Sequence, residues 1–193
     1  MTTILLARHG ETDWNRENRF QGHADPPLNE TGRAQAVELA AALAAEPLAA
    51  VYSSPLQRAF ETAQIVAAPH GLEPATVDAL REVDVGSWQG LTRAEVESRF
   101  PEQYARWLGH EQGWEDGETY QQMGDRVIEA LLELAAAHDG GRILIVTHGG
   151  PIRAAFAFAD ETSHAEARRS GTSIGNVFIA EFGVEGTRLF RRA

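Results

Sequence analysis

Neither cysteine nor lysine occurs in the 193 residues. The first absence excludes thiolate catalysis, cysteine-based zinc sites and disulfide frameworks. The second leaves all 17 basic side chains as arginine. It removes the Walker-type phosphate loop, which needs its lysine, and Schiff-base chemistry. Long apolar runs are also missing. The N-terminal run, Ile4 to Ala7, meets Arg8 and His9 at once and is too short for a signal peptide or a membrane span. The expected location is therefore the cytoplasm. Positive charge is scarce: 17 basic against 28 acidic residues give a net charge of −11, which argues against a general nucleic-acid or anionic-membrane binder. An anionic substrate stays open, because local fields dominate beyond a screening length of about 8 Å. The chemistry left to this chain must run on His, Asp, Glu, Ser, Thr, Tyr or a bound metal.

The remaining composition, 43% hydrophobic and 23% charged, is that of an ordinary globular protein. The length fits one domain spanning residues 1–193, with enough core to need no staple. No internal repeat, low-complexity tract or linker interrupts it. Thr3 to Ala7, Leu48 to Tyr52 and Arg142 to Thr147 read as short buried strands, and Ala75 to Val77 as a shorter one. Helices are expected at Thr31 to Ala45 with Thr31 as cap, at Leu56 to Ala68 with Pro55 in its first turn, and at Thr92 to Phe100 behind a Thr92/Glu95 capping box. Others follow from Pro101, from about Glu118 to His138, and from Ile152 to Phe158. His9 to Glu30 reads as a long loop, and the tail as a hairpin around Gly183 to Gly186. Alternating strands and helices predict an α/β layered fold with a mostly parallel sheet.

Three segments share one architectural position. Arg8-His9-Gly10 follows the first strand, Arg58 comes just after the second, and His148-Gly149-Gly150 follows the strand at Arg142 to Thr147. Ligands of open α/β sheets bind outside the carboxyl ends of the strands, so these segments should converge. Two arginine forks, two imidazoles and a glycine-led helix N-terminus suit a phosphate dianion better than a carboxylate. A neutral imidazole there can attack phosphorus, and a carboxyl group beside it can protonate the leaving alkoxide and later activate water. Glu82 is the first candidate for that acid, with Asp84 second.

The blocks ARHGETDWN, RFQGHADPPLNETG, SSPLQRAFETA, EVDVGSWQG and VTHGGPIR, in this order, resemble the histidine phosphatase superfamily. The family contains cofactor-dependent phosphoglycerate mutases and broad-specificity phosphatases. The resemblance implies a three-layer α/β/α fold of phosphoglycerate mutase type, with a mostly parallel central sheet and a helical lid insertion at about 87–117. It implies His9 as the phosphorylated nucleophile and Glu82 as proton donor and acceptor. Arg8, Arg58 and His148 would form the phosphate pocket, with Asn15 as a further phosphate contact and Gln21 and Gly22 as substrate-loop contacts. It further implies no metal, no cofactor, a small phosphorylated metabolite as substrate, and a homodimer as a common assembly.

Two activities share that core: a metal-independent phosphatase working through phosphohistidine, and a phosphoglycerate mutase returning the phosphate to a second hydroxyl. Family mutases carry a longer, more basic insertion. Here Ser87 to Gly117 is short, and Arg93, Arg99 and Arg106 are outnumbered by Glu and Asp, which favours hydrolysis. Phe100, Tyr104, Trp107 and Trp114 read equally as a helical cap packed on the sheet and as an apolar wall over the site. His23, His70, His110, His138 and His164 read as ordinary histidines.

Overall fold

The computed structural model describes residues 1–192. At its centre lie β1 (Thr2–Arg8) and β4 (Arg142–Thr147), parallel and in register from Thr3 opposite Arg142 to Arg8 opposite Thr147. Side chains alternate across a strand, and both strands are apolar at nearly every position, so each face of the sheet must be covered. Ile4 and Leu6 of β1, with Ile143 and Ile145 of β4, pack against α6 (Tyr120–Ala136) and α7 (Gly149–Ala159). Leu5, Ala7, Leu144 and Val146 point the other way, against α2 (Glu30–Leu43) and α3 (Gln57–Ala67). Truncating any of the leucines or isoleucines among them to alanine costs about 2–5 kcal/mol.

β2 (Leu48–Ser53) lies parallel to β4 on its outer side, and the two-residue β3 (Ala75–Thr76) extends that edge. Beyond β1, β5 (Ile179–Glu185) and β6 (Arg188–Arg191) run antiparallel, giving the order β3-β2-β4-β1-β5-β6. The result is the expected three-layer α/β/α arrangement with a mostly parallel sheet. The segment at 87–117 holds α4 (Arg93–Arg99) and α5 (Pro101–Leu108). Its Trp88, Tyr104 and Trp114 join the core cluster on the α6 and α7 side. Among the described residues no helix is long and apolar enough to cross a membrane.

Several boundaries differ from the sequence reading, each for a local reason. Asn29, not Thr31, caps α2, because its side chain accepts from the Gly32 N–H at 2.8 Å. Pro55 stands outside α3, whose cap is Leu56. α7 opens at Gly149, three residues early, since His148 keeps an extended backbone and both glycines are helical. Gly183 lies inside β5, where a Cβ would strike the Phe190 ring, and the hairpin turns at Gly186, in the left-handed region. The stretch read as one long loop contains a single-turn helix, α1 (Asp13–Arg16). A last helix, α8 (His164–Arg169), absent from the sequence reading, starts behind a Ser163/Glu166 capping box, which is its local signal.

Candidate active site

The register of the sheet sets the site. β1 ends at Arg8 opposite Thr147, and β2 ends at Ser53 opposite Val146. The His9 N–H donates to the Thr147 carbonyl and the Ser54 N–H to the Val146 carbonyl, both at 3.0 Å. His9, His148 and the start of α3 therefore leave the sheet at one level, at its carboxyl end. A cavity of about 470 Å³ opens there. Arg8, His9, Asn15, Gln21, Gly22, Arg58 and Glu82 all line it, as do Gly149 and Gly150.

His9 is 3% exposed. Its Nδ1 lies 2.7 Å from the Gly10 carbonyl oxygen, which can only accept, so Nδ1 carries the proton and Nε2 keeps its lone pair. Burial, with Arg58 and Arg8 nearby, holds its pKa well below the usual imidazole value. His9 is thus neutral at physiological pH. His148, expected in the phosphate pocket, is fully buried beside His9, with the two rings edge to face at 5.1 Å; its Nε2 is 2.8 Å from Ser54 Oγ and its Nδ1 is buried without a hydrogen-bond partner. It too is kept neutral, by burial first and then by Arg58.

The two guanidiniums are held by carbonyls alone. Arg58 donates through Nη1 to Ala24 O at 2.8 Å and through Nη2 to Gly22 O at 3.0 Å. Arg8 donates through Nη1 to Ile174 O at 2.7 Å. The Nε of each is buried without a hydrogen-bond partner. Burial lowers Arg58 to about 10, which leaves it charged at neutral pH, and lowers Arg8 as well. Two cations, Arg58 fully and Arg8 partly buried, without a contacting carboxylate make a strong oxyanion site.

Glu82 meets the N-terminus of α7. Both its carboxylate oxygens accept from the Gly150 N–H, at 3.1 and 3.2 Å, and Oε1 also accepts from Val83 N–H at 2.9 Å. His148 offers no side-chain cap to that helix, so Glu82 supplies the missing acceptor. Gly150 is required here, since a Cβ would collide with the carboxylate. Asp84 is not part of the cavity wall; its Oδ1 accepts from Gly86 N–H at 2.9 Å. Asn15 Oδ1 is committed to Thr12 and Asn176, leaving its amide N–H groups for the cavity it lines. Gln21 Oε1 is buried without a partner. Gly22, at φ +51°, presents its carbonyl to Arg58.

Some contributors were not expected. Arg126 of α6 clamps the loop carrying Glu82, donating to the carbonyls of Ala79, Arg81 and Glu82 at 2.6, 2.8 and 3.0 Å. Glu118 fixes that guanidinium through two contacts of 2.6 Å. His23 Nε2 donates to the Glu82 carbonyl at 2.8 Å, a structural tie to the same loop. Asn176 Nδ2 donates to His9 O at 3.1 Å. Arg126, His23 and Asn176 each lie far along the chain from the backbone they hold, and none carries a local signal. The four aromatics divide: Trp107 and Trp114 line the cavity, whereas Phe100 and Tyr104 pack behind them. Among the described residues no three His, Asp or Glu side chains group as a metal ion would need.

The sequence model of the histidine phosphatase superfamily, branch 1, matches residues 4–192. Phosphoglycerate mutase-like protein 4 of Arabidopsis thaliana is 42% identical over 180 residues, 91% of this chain and 78% of that protein. A metal-independent phosphoserine phosphatase, also of Arabidopsis thaliana, is 40% identical over 173 residues, 86% of this chain and 71% of that protein. The solved structure of Bacillus stearothermophilus YhfR superposes with a TM-score of 0.91 at 32% identity, covering 99% of this chain and 95% of that one.

Proposed function

Because this chain belongs to the histidine phosphatase superfamily, we propose that its cavity hydrolyses phosphomonoesters of small cytoplasmic metabolites, without a metal, through a phosphohistidine on His9. The observation that carries this reading is the tautomer of His9: Nδ1–H is committed to Gly10, and a neutral Nε2 is left for the pocket that His9 lines together with the guanidiniums of Arg8 and Arg58. Such a nitrogen is a nucleophile, and the cations are where charge on the transferring phosphoryl group would need them.

In the first step Nε2 of His9 forms a bond to phosphorus as the bond to the ester oxygen breaks. Glu82 in its acid form gives its proton to the departing alkoxide, so the alcohol leaves neutral. Arg8, Arg58 and the Gly149 N–H hold the phosphoryl oxygens, and the His148 ring packs edge to face against His9. In the second step the Glu82 carboxylate takes a proton from water, the water oxygen bonds to phosphorus, and the bond to Nε2 breaks. Inorganic phosphate leaves, with His9 neutral and Glu82 again an acid. The similarity to the metal-independent phosphoserine phosphatase of Arabidopsis thaliana supports a substrate of this size and kind.

Rapid base-quench of turnover with labelled substrate tests the reading. Label should be base-stable, acid-labile and confined to the peptide carrying His9. Chelator should leave the rate unchanged. Incubation with 3-phosphoglycerate and a trace of the bisphosphate should release inorganic phosphate; rapid isomerisation with negligible release overturns hydrolysis in favour of a mutase.

A further inference from the structure

The segment that carries Glu82 belongs to no strand. It leaves β3 at Thr76, makes a short 3₁₀ turn over Asp78–Leu80 and is extended at Arg81. Backbone of this kind ordinarily gives its carbonyls to water and is among the more mobile parts of a fold. Here the carbonyls of residues 79, 80, 81 and 82 are all taken by side chains from other parts of the chain. Arg126 holds Ala79 O, Arg81 O and Glu82 O. Thr147, at the end of β4, donates through Oγ1 to Leu80 O at 2.6 Å. Glu82 O accepts a second time, from His23 Nε2.

The Arg126 guanidinium is itself fixed and neutralised. Its Nε and Nη2 meet the two Glu118 oxygens as a bidentate fork, with only 24% of the arginine side chain and 17% of the glutamate side chain exposed. Glu118 also grips the far side of the acid: its N–H donates to Asp84 O at 3.0 Å. The pairing has a chemical consequence. A bare cation beside this loop would favour the carboxylate form of Glu82, whereas the first step needs the acid. With Glu118 in place, Arg126 supplies rigidity with its charge compensated. His23 adds a cross-tie. It stands between Gly22 and Ala24, whose carbonyls hold Arg58, so its bond to Glu82 O joins the phosphate side of the site to the acid side.

We propose that Arg126, neutralised by Glu118, is a positioning residue for leaving-group protonation: through the carbonyls at 79, 81 and 82 it fixes where the Glu82 carboxyl meets the ester oxygen, and His23 sets its distance from Arg58. The proposal rests on the phosphatase reading with Glu82 as acid, and adds the residues that aim that acid. The Gly150 and Val83 N–H groups orient the carboxyl group, but they cannot hold the backbone from which it projects. A displacement of about 1 Å can cost 10²-fold in rate. Neither Arg126, Glu118 nor His23 lines the cavity, so their hold on the reaction runs through the backbone of the acid's loop.

A leaving-group series reads the aim of the acid. kcat/KM is measured for substituted phenyl phosphates, from p-nitrophenyl to unsubstituted phenyl, and for an alkyl phosphate, since a more basic departing oxygen needs more help from an acid. The double variant Arg126→Gln/Glu118→Gln removes both charges and orphans neither. Its kcat/KM for the alkyl ester should fall by about 10²-fold and that for p-nitrophenyl phosphate by about 3-fold or less, so the dependence on leaving-group pKa steepens. His23→Ala should steepen it by about 5-fold across the same range, the weight of one hydrogen bond. Arg126→Lys, which keeps a charge for Glu118 and a donor for the carbonyls, should lie between wild type and the double variant. A general loss of structure lowers every ester alike and leaves the slope where it was. Equal losses across the series overturn the positioning role while phosphatase activity stands. Where the double variant fails to fold, His23→Ala and Arg126→Lys are read by the same slope, and an unchanged slope in both overturns the proposal. An unchanged slope in Glu82→Gln removes the acid itself, and the proposal with it. Failure of the wild-type protein to hydrolyse p-nitrophenyl phosphate defeats the phosphatase reading.

Discussion

The two ends of the central strands treat arginine in opposite ways. At the amino end, Arg142 of β4 is neutralised by Glu46 at 2.6 Å and Glu181 at 3.0 Å while about a quarter of its side chain stays exposed. At the carboxyl end, Arg58 is fully buried, Arg8 is partly buried, and both meet carbonyl oxygens alone. A partly solvated cation with two carboxylates is a stabilising feature of the fold. A buried cation without one is costly, and its cost is offset only when an anion arrives. The contrast separates arginines that hold the sheet together from arginines arranged for a ligand.

The sharpest break of this contrast is at the nucleophile. His9→Ala should abolish turnover of even p-nitrophenyl phosphate, a loss of about 10⁴-fold or more in kcat by steady-state assay; retained activity refutes covalent transfer through His9. Arg58→Gln should lower kcat/KM by about 10²–10³-fold, the weight of one strong oxyanion donor. Glu82→Gln should slow alkyl phosphates by about 10²-fold or more and aryl phosphates far less, because a good leaving group needs little protonation. Equal losses across a leaving-group series would remove its role as acid.

Protonation gives a smaller effect with a definite sign. His9, His148 and His164 all have folded pKa values below the unfolded value. The unfolded chain therefore binds more protons below pH 6.5, and stability falls as pH drops through that point. Each imidazole that stays neutral contributes a slope of about 1.4 kcal/mol per pH unit. Thermal melts between pH 7 and 5 should show this decline, and His164→Gln should flatten it. Least of all, Arg142→Gln should cost about 1 kcal/mol of stability and leave kcat/KM untouched; a kinetic effect there would erase the distinction between the two ends.

Much of this architecture was legible in residue order. β1 and β4 are compact apolar runs, and the Thr92/Glu95 box marked α4, because strand alternation and capping act over a few residues. The same range of action explains the errors: Thr31 looked like a cap until Asn29 took the Gly32 N–H. The cavity residues next to strand ends were also legible, since Arg8, His9 and Arg58 inherit their place from the sheet. Asn176 and Arg126 were not, because each acts on a partner brought near only by packing.

The chain's order alone settled the available chemistry, imidazole, carboxyl and guanidinium with no thiol or amine, and which side chains would stand where the parallel strands end. Tertiary structure alone decided the protonated nitrogen of His9, the full burial of His148 beside it, and which arginines found carboxylates. The reason is physical: residue type and backbone periodicity are properties of neighbours in the chain, whereas proton placement and uncompensated charge depend on burial and on groups that meet only when the layers close.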